Sequence, residues 1–138
     1  MRLLDTNVMV YAILDPHSSN HPESGGLISP SMEIMARIEK GEPAVLSTVH
    51  LSEFINIISR RMGISMACHA LKSLFTLDNL IFYPVEKEDY ELAVEISQDQ
   101  KVGINDCLAV VIMGRLKIKE IYSFDQDFDK LGITRITH

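Results

Sequence analysis

Short β-prone runs that never lie close enough together for hairpins constrain this chain more than any other feature. Arg2–Leu4, Ala44–Leu46, Leu80–Tyr83 and Ile118–Phe124 are rich in apolar and β-branched residues, and stretches of helical periodicity separate each from the next. Antiparallel neighbours can be joined by a tight turn, whereas parallel neighbours need crossovers of about a dozen residues or more, usually helical. The alternation predicts a mainly parallel sheet with helices on both faces, the three-layer α/β/α class. Ile133–Ile136 is expected to add a final edge strand. The chain has 138 residues with no repeat or linker, and is read as one domain, 1–138.

The helical stretches carry their own punctuation. Residues 6–14 place Val8, Tyr11 and Ala12 at helical spacing. Residues 15–29, with two prolines, two glycines and four serines, read as a loop. A helix is then expected from Ser29-Pro30, with serine as N-cap, to Gly41. Thr48–Met62 shows a clear stripe at Leu51, Phe54, Ile55, Ile58 and Met62, stopped by Gly63. Ser65–Leu77 should bury Met66, Leu71, Leu74 and Phe75, and Lys87–Lys101 should bury Leu92, Ala93 and Ile96. Ile104–Leu116 is apolar nearly all round and is expected to be a central helix.

Four acids stand inside these apolar segments: Asp5, Glu53, Asp106 and Asp125. A lone carboxylate in apolar surroundings is expensive, so such groups face one another, a cation or solvent. Asp5 and Asp125 follow strands, where ligands gather in open α/β sheets. Each acid also has a structural reading. Asp5 suits a helix N-cap, and Thr6 and Asn7 suit capping or orienting it. Asp106 suits a first helical turn, with Asn105 sharing the cap. Asp125 and Asp127 fit turn chemistry, Asp129 reads as solvated surface, and Glu53 shares a polar face with Asn56 and Arg60. Taken together, oxygen-only ligands at one crevice favour Mg²⁺ or Mn²⁺ and point to a metal-dependent hydrolase of phosphate esters.

Other chemistries are poorly supported. Cys68 and Cys107 lack a paired motif, and the five histidines form no ligand pattern. No Ser-His-Asp or Cys-His set competes. No apolar run approaches the ~20 residues that cross a bilayer. Arg2 followed at once by Asp5 is not a signal peptide, so a cytoplasmic protein with no membrane role is expected. The net charge of −6 does not exclude nucleic acid, because a carboxylate cluster explains most of the excess. Basic residues gather at Arg60–Arg61 and across Arg115, Lys117 and Lys119.

LLDTNVMVYAI, the glutamate of LSEFINII, NDCLAVVI and SFDQDF occur in an order and spacing that resemble the PIN-domain ribonucleases, and within them the VapC-type toxins. The resemblance spans at least residues 1–128. It implies a PIN-like fold whose Asp5, Glu53, Asp106 and Asp125 are the catalytic acids holding Mg²⁺ or Mn²⁺, with Asp127 as an auxiliary ligand through water. Ser123 matches a small hydroxyl position before the last acid, and Thr6 and Asn7 match the polar residues after the first. The implied activity is endonucleolytic cleavage of single-stranded or looped RNA, leaving a 5′-phosphate and a 3′-hydroxyl. An antitoxin protein and a homodimer are the partners it implies. For substrate phosphate, Arg37, Arg60, Arg61 and Arg115 are the candidates. The main alternative is a catalytically silent binding module on the same fold.

Overall fold

The computed structural model describes residues 1–14 and 25–138. Five short strands, β1 (Arg2–Leu4), β2 (Ala44–Ser47), β3 (Leu80–Tyr83), β4 (Glu120–Tyr122) and β5 (Thr134–Ile136), form one sheet in the order β3-β2-β1-β4-β5. Every pairing is parallel, with Leu3 opposite both Val45 and Ile121. The chain adds β2 and β3 on one side of β1, then crosses to add β4 and β5 on the other. The order therefore reverses at β1, and the crevice beyond the carboxyl ends of β1 and β4 is the switch point where such sheets bind ligands.

Period-two alternation distributes the strand residues between two cores. Leu4, Ala44, Leu46 and Tyr122 point into one cluster with Val8, Ile34, Ile38, Phe54, Ile58 and Leu74. Those residues come from α1 (Thr6–Ile13), α2 (Gly25–Glu39), α3 (Thr48–Met62) and α4 (Ile64–Phe75). Leu3, Val45 and Ile121 point the other way, onto Ala109, Ile112 and Met113 of α6 (Ile104–Leu116). Between α5 (Lys87–Gln100) and α6 a smaller cluster joins Ala93 to Cys107, Leu108 and Val111. Helices thus cover both sheet faces, as the alternation predicts, and α6 is buried nearly all round.

Three expectations about helices are corrected. First, α2 begins at Gly25 rather than Ser29, so 25–29 is helical and Pro30 lies inside the helix. The reason is Ile28, which is buried and extends the stripe of Ser31, Ile34 and Ile38 by one turn. The rest of the expected loop, 15–24, falls outside the described residues. Second, α4 buries Ala67, Ala70 and Leu74, while Met66 and Phe75 are 37% and 58% exposed. Small side chains let α4 lie close against α3, to which only Gly63 (φ 92°) connects it. Third, α5 buries Asp89 and Ala93, while Leu92 is exposed. Asp89 accepts from Glu86 N at 3.0 Å and pairs with Arg115 Nε at 2.5 Å, which turns that stripe inward.

The connection from β4 to β5 holds only a single turn of helix, α7 (Asp127–Lys130). Phe128 anchors it in the core, and Asp129 lies on the exposed surface, as expected, where it pairs with Arg135 at 2.7 Å. No helix among the described residues is long and apolar enough to cross a membrane.

Candidate active site

Asp5 follows β1 directly. Its amide donates to Tyr122 C=O at 3.0 Å, which ties it to β4. Its carboxylate is nearly buried and both oxygens are engaged. Oδ1 accepts the Thr6 amide at 2.8 Å as the N-cap of α1, and Oδ2 accepts the Ser123 hydroxyl at 2.6 Å. The capping reading and the site reading of Asp5 are thus compatible. Burial pushes its carboxyl above the usual range and Glu53 adds to that, while the hydrogen bonds and His50 oppose it.

Ser123 Oγ, just beyond β4, also accepts the Asp125 amide at 3.0 Å, so one hydroxyl joins the first acid to the last. Asp125 Oδ1 in turn accepts the Asp127 amide at 2.9 Å, a side-chain turn that holds both acids at the start of α7. Asn7 touches the same group, its side chain lying 3.5 Å from Ser123 Oγ and from the Phe124 amide. Asp127 pairs with Lys130 at 2.5 Å.

Glu53 projects from α3 and is oriented from two directions. Thr6 Oγ1 lies 2.9 Å from Oε2, and Asn105 Nδ2 donates to Oε1 at 2.7 Å. Asn105 therefore orients Glu53 rather than capping α6, whose N-cap is Gly103. Asp106 occupies the first turn of α6, and no side-chain hydrogen bond or ion pair holds its carboxyl among the described residues. Burial pushes it up to about 7, helped by the charges of Asp125, Asp5, Asp127 and Glu53.

One cavity of about 280 Å³ is lined by Asp5, Glu53, Asp106 and Asp125, together with Thr6, Asn7, Tyr11 and Arg61. Oxygens of Asp106, Asp125 and Asp127 all lie within 4.8 Å of one another. Carboxylates at such spacing repel unless a cation lies among them, and this repulsion adds to burial in raising the Asp106 carboxyl. The donor set is all oxygen, and it fits a hard divalent ion such as Mg²⁺ or Mn²⁺.

The basic candidates separate. Arg60 and Arg61 are both exposed, but only Arg61, in helical phase with Glu53 and Ile57, lines the cavity. Arg115 is at the far end of α6 and is held by Asp89. Arg37 reaches Tyr122 Oη, Glu42 and the His138 carbonyl, beside the residues that begin the strands. Two site neighbours have no site role in the sequence reading. Tyr11 lines the cavity with its ring edge-to-face on Phe124 (centroids 6.0 Å), and its place one turn after Asn7 was the available signal. His50 is buried with Nε2 3.9 Å from Asp5 Oδ1, and its place three residues before Glu53 is the one sequence signal for it.

No curated protein matches the sequence significantly. Among solved structures, the chain is similar to the Mycobacterium tuberculosis toxin VapC20, described as cleaving the sarcin-ricin loop, at 18% identity with TM-score 0.78, each chain covered in full. It is also similar to a chain of VapBC2 from Rickettsia felis, bound there to a promoter DNA fragment (16% identity, TM-score 0.66, covering 98% of this chain and 96% of that one). A third likeness is to a toxin–antitoxin complex from Klebsiella pneumoniae (13%, 0.62, covering 93% and 90%). At these identities the likeness is one of fold. The PIN domain profile matches residues 2–133, and with nearly the whole chain accounted for, the protein belongs to the PIN domain family.

Proposed function

We propose that the protein is a divalent-metal-dependent endoribonuclease acting on single-stranded or looped RNA, and the toxin half of a toxin–antitoxin pair. The observation that carries this reading is the meeting of Asp5, Glu53, Asp106 and Asp125 in one cavity at the carboxyl ends of β1 and β4. Asp5, Asp106, Asp125 and Glu53 would hold the ion, with Asp127 as auxiliary. When bound, Mg²⁺ or Mn²⁺ supplies the positive charge that phosphodiester hydrolysis needs as its transition state develops.

The protein's own residues do the rest. Ser123 Oγ and Thr6 N–H hold Asp5 in one orientation, and Asn105 and Thr6 Oγ1 orient Glu53. Asn7 braces the Ser123–Phe124 turn. Arg61 reaches the cavity as a phosphate contact, a role its position supports better than those of Arg60 or Arg115. Tyr11 offers a ring for an unstacked base, which suits single-stranded or looped substrate.

An antitoxin and a homodimer belong to the same reading. A separate apolar groove of about 380 Å³ between α1, α2 and α4, lined by Met9, Ile13, Met32, Met35 and Leu74, supports a partner with an apolar helix.

Cleavage of a structured RNA pool by purified protein with Mg²⁺ or Mn²⁺, against EDTA and beside Asp5→Asn and Asp106→Asn, tests the activity. Metal-dependent cutting lost in both folded variants is expected. A folded wild type that binds no metal by calorimetry would overturn the nuclease and leave the silent binding module.

A further inference from the structure

His50, in the first turn of α3, has one ring edge satisfied and the other not. Nδ1 lies 2.5 Å from Ser47 Oγ. The same Oγ accepts the His50 amide at 3.1 Å, as the N-cap of α3. For the Ser47 hydroxyl proton, Nδ1 is the acceptor within reach among the described residues. Nδ1 therefore accepts, and the neutral ring carries its proton on Nε2. Burial favours that neutral form, since desolvation depresses the imidazole.

Nε2 is buried and has no hydrogen-bond partner among the described residues. The carboxylate facing it is Asp5 Oδ1, at 3.9 Å, about 1 Å beyond hydrogen-bond length. A buried N–H without an acceptor is costly, and native interiors keep few of them. Its neighbour is a buried carboxylate whose ionised form needs donors. The Ser47–His50 pair sits beneath the first acid of the site and points its unused proton at it.

We propose that His50 is a positioning residue for Asp5, with Nε2–H as the third donor to its carboxylate, after Ser123 Oγ and Thr6 N. A shift of about 1 Å completes the bond. The donor holds Asp5 in the orientation that metal binding uses, as hydrogen-bonded neighbours of metal ligands commonly do. Ser47 acts one step further back by selecting the tautomer. The inference rests on the metal-dependent reading above.

The test uses the full chain. Mn²⁺ affinity is measured by calorimetry, and thermal unfolding in EDTA, for wild type, His50→Leu and His50→Gln. His50→Leu is expected to weaken Mn²⁺ binding by about 10-fold or more, in the range seen for such neighbours of metal ligands. Its melting temperature in EDTA should change little, because the unsatisfied buried Nε2–H is removed while the buried Ser47 hydroxyl loses its acceptor. RNA cleavage should lose kcat with KM unchanged. His50→Gln, which returns an N–H near the Nε2 position, should recover most of the affinity. Wild-type Mn²⁺ affinity in His50→Leu, with or without a lower melting temperature, would make the residue structural and overturn the proposal, leaving the metal reading intact. A wild type that binds no Mn²⁺ overturns both. Should His50→Leu fail to fold, His50→Met removes the same donor with a side chain that adapts to irregular space, and the same outcomes decide.

Discussion

Asp106→Asn should make the metal-free protein more stable at neutral pH while removing its activity. The Asp106 carboxyl rises from 3.8 to about 7 on folding, through burial first and the charges of Asp125, Asp5, Asp127 and Glu53 next. Between pH ~4 and ~7 the folded state thus holds a proton that the unfolded state has released. Stability contributed by this group falls as pH rises through that window, and above ~7 the whole penalty is present. The full shift corresponds to ~4 kcal/mol at 1.36 kcal/mol per unit. The side chain is only partly buried, so water screens much of that, and ~1–2 kcal/mol is the magnitude expected. The opposing term, a carboxylate in the first turn of α6, is worth ~0.3–1 kcal/mol and does not reverse the sign. Asparagine keeps the shape and carries no charge. Urea denaturation in EDTA should show the variant ahead by ~1–2 kcal/mol at pH 7.5, with the gap closing toward pH 4. Saturating Mn²⁺ should reverse the order, because only the wild type gains the full linkage stabilisation. A variant equal to or less stable than wild type in EDTA at pH 7.5, or a gap that ignores pH, would refute the repulsion argument.

Two further expectations are simpler to state. Arg61→Ala should raise KM for RNA several-fold with Mn²⁺ affinity unchanged, whereas Arg60→Ala should leave both near wild type; steady-state cleavage beside calorimetry separates them. Asp89→Ala removes a buried acceptor shared by Arg115, Tyr83 and the Glu86 amide, so chemical denaturation should show a loss of ~2–3 kcal/mol, reduced from a fully buried pair because Arg115 is partly exposed, with cleavage by the folded fraction unaffected.

Much of the site was legible because each acid announces itself locally. Asp5 and Asp125 follow strands, Asp106 opens a helix, and Glu53 stands on a narrow polar face beside an apolar stripe. Their partners were harder to read. Asn105 donates to Glu53 across 52 positions and Ser123 donates to Asp5 across 118, and no local pattern relates such residues. Asn105 sits where a cap is expected, so the local rule assigned it a cap. His50 looked like any helical histidine until Ser47 and Asp5 were seen on its two sides.

The order of short strands and long crossovers determined a parallel, two-faced α/β fold by itself, because hairpins cannot form across helical connections. It also determined that several carboxylates would lie near strand ends. Only the tertiary structure decided how each helix turns about its axis. That phase made Arg61 rather than Arg60 the residue at the cavity, and it gave the inner face of α4 to Ala67 and Ala70 instead of Met66 and Phe75. Periodicity says that a helix has an apolar side. How closely that side approaches its neighbour depends on the sizes of both surfaces, and the second surface comes from a distant part of the chain.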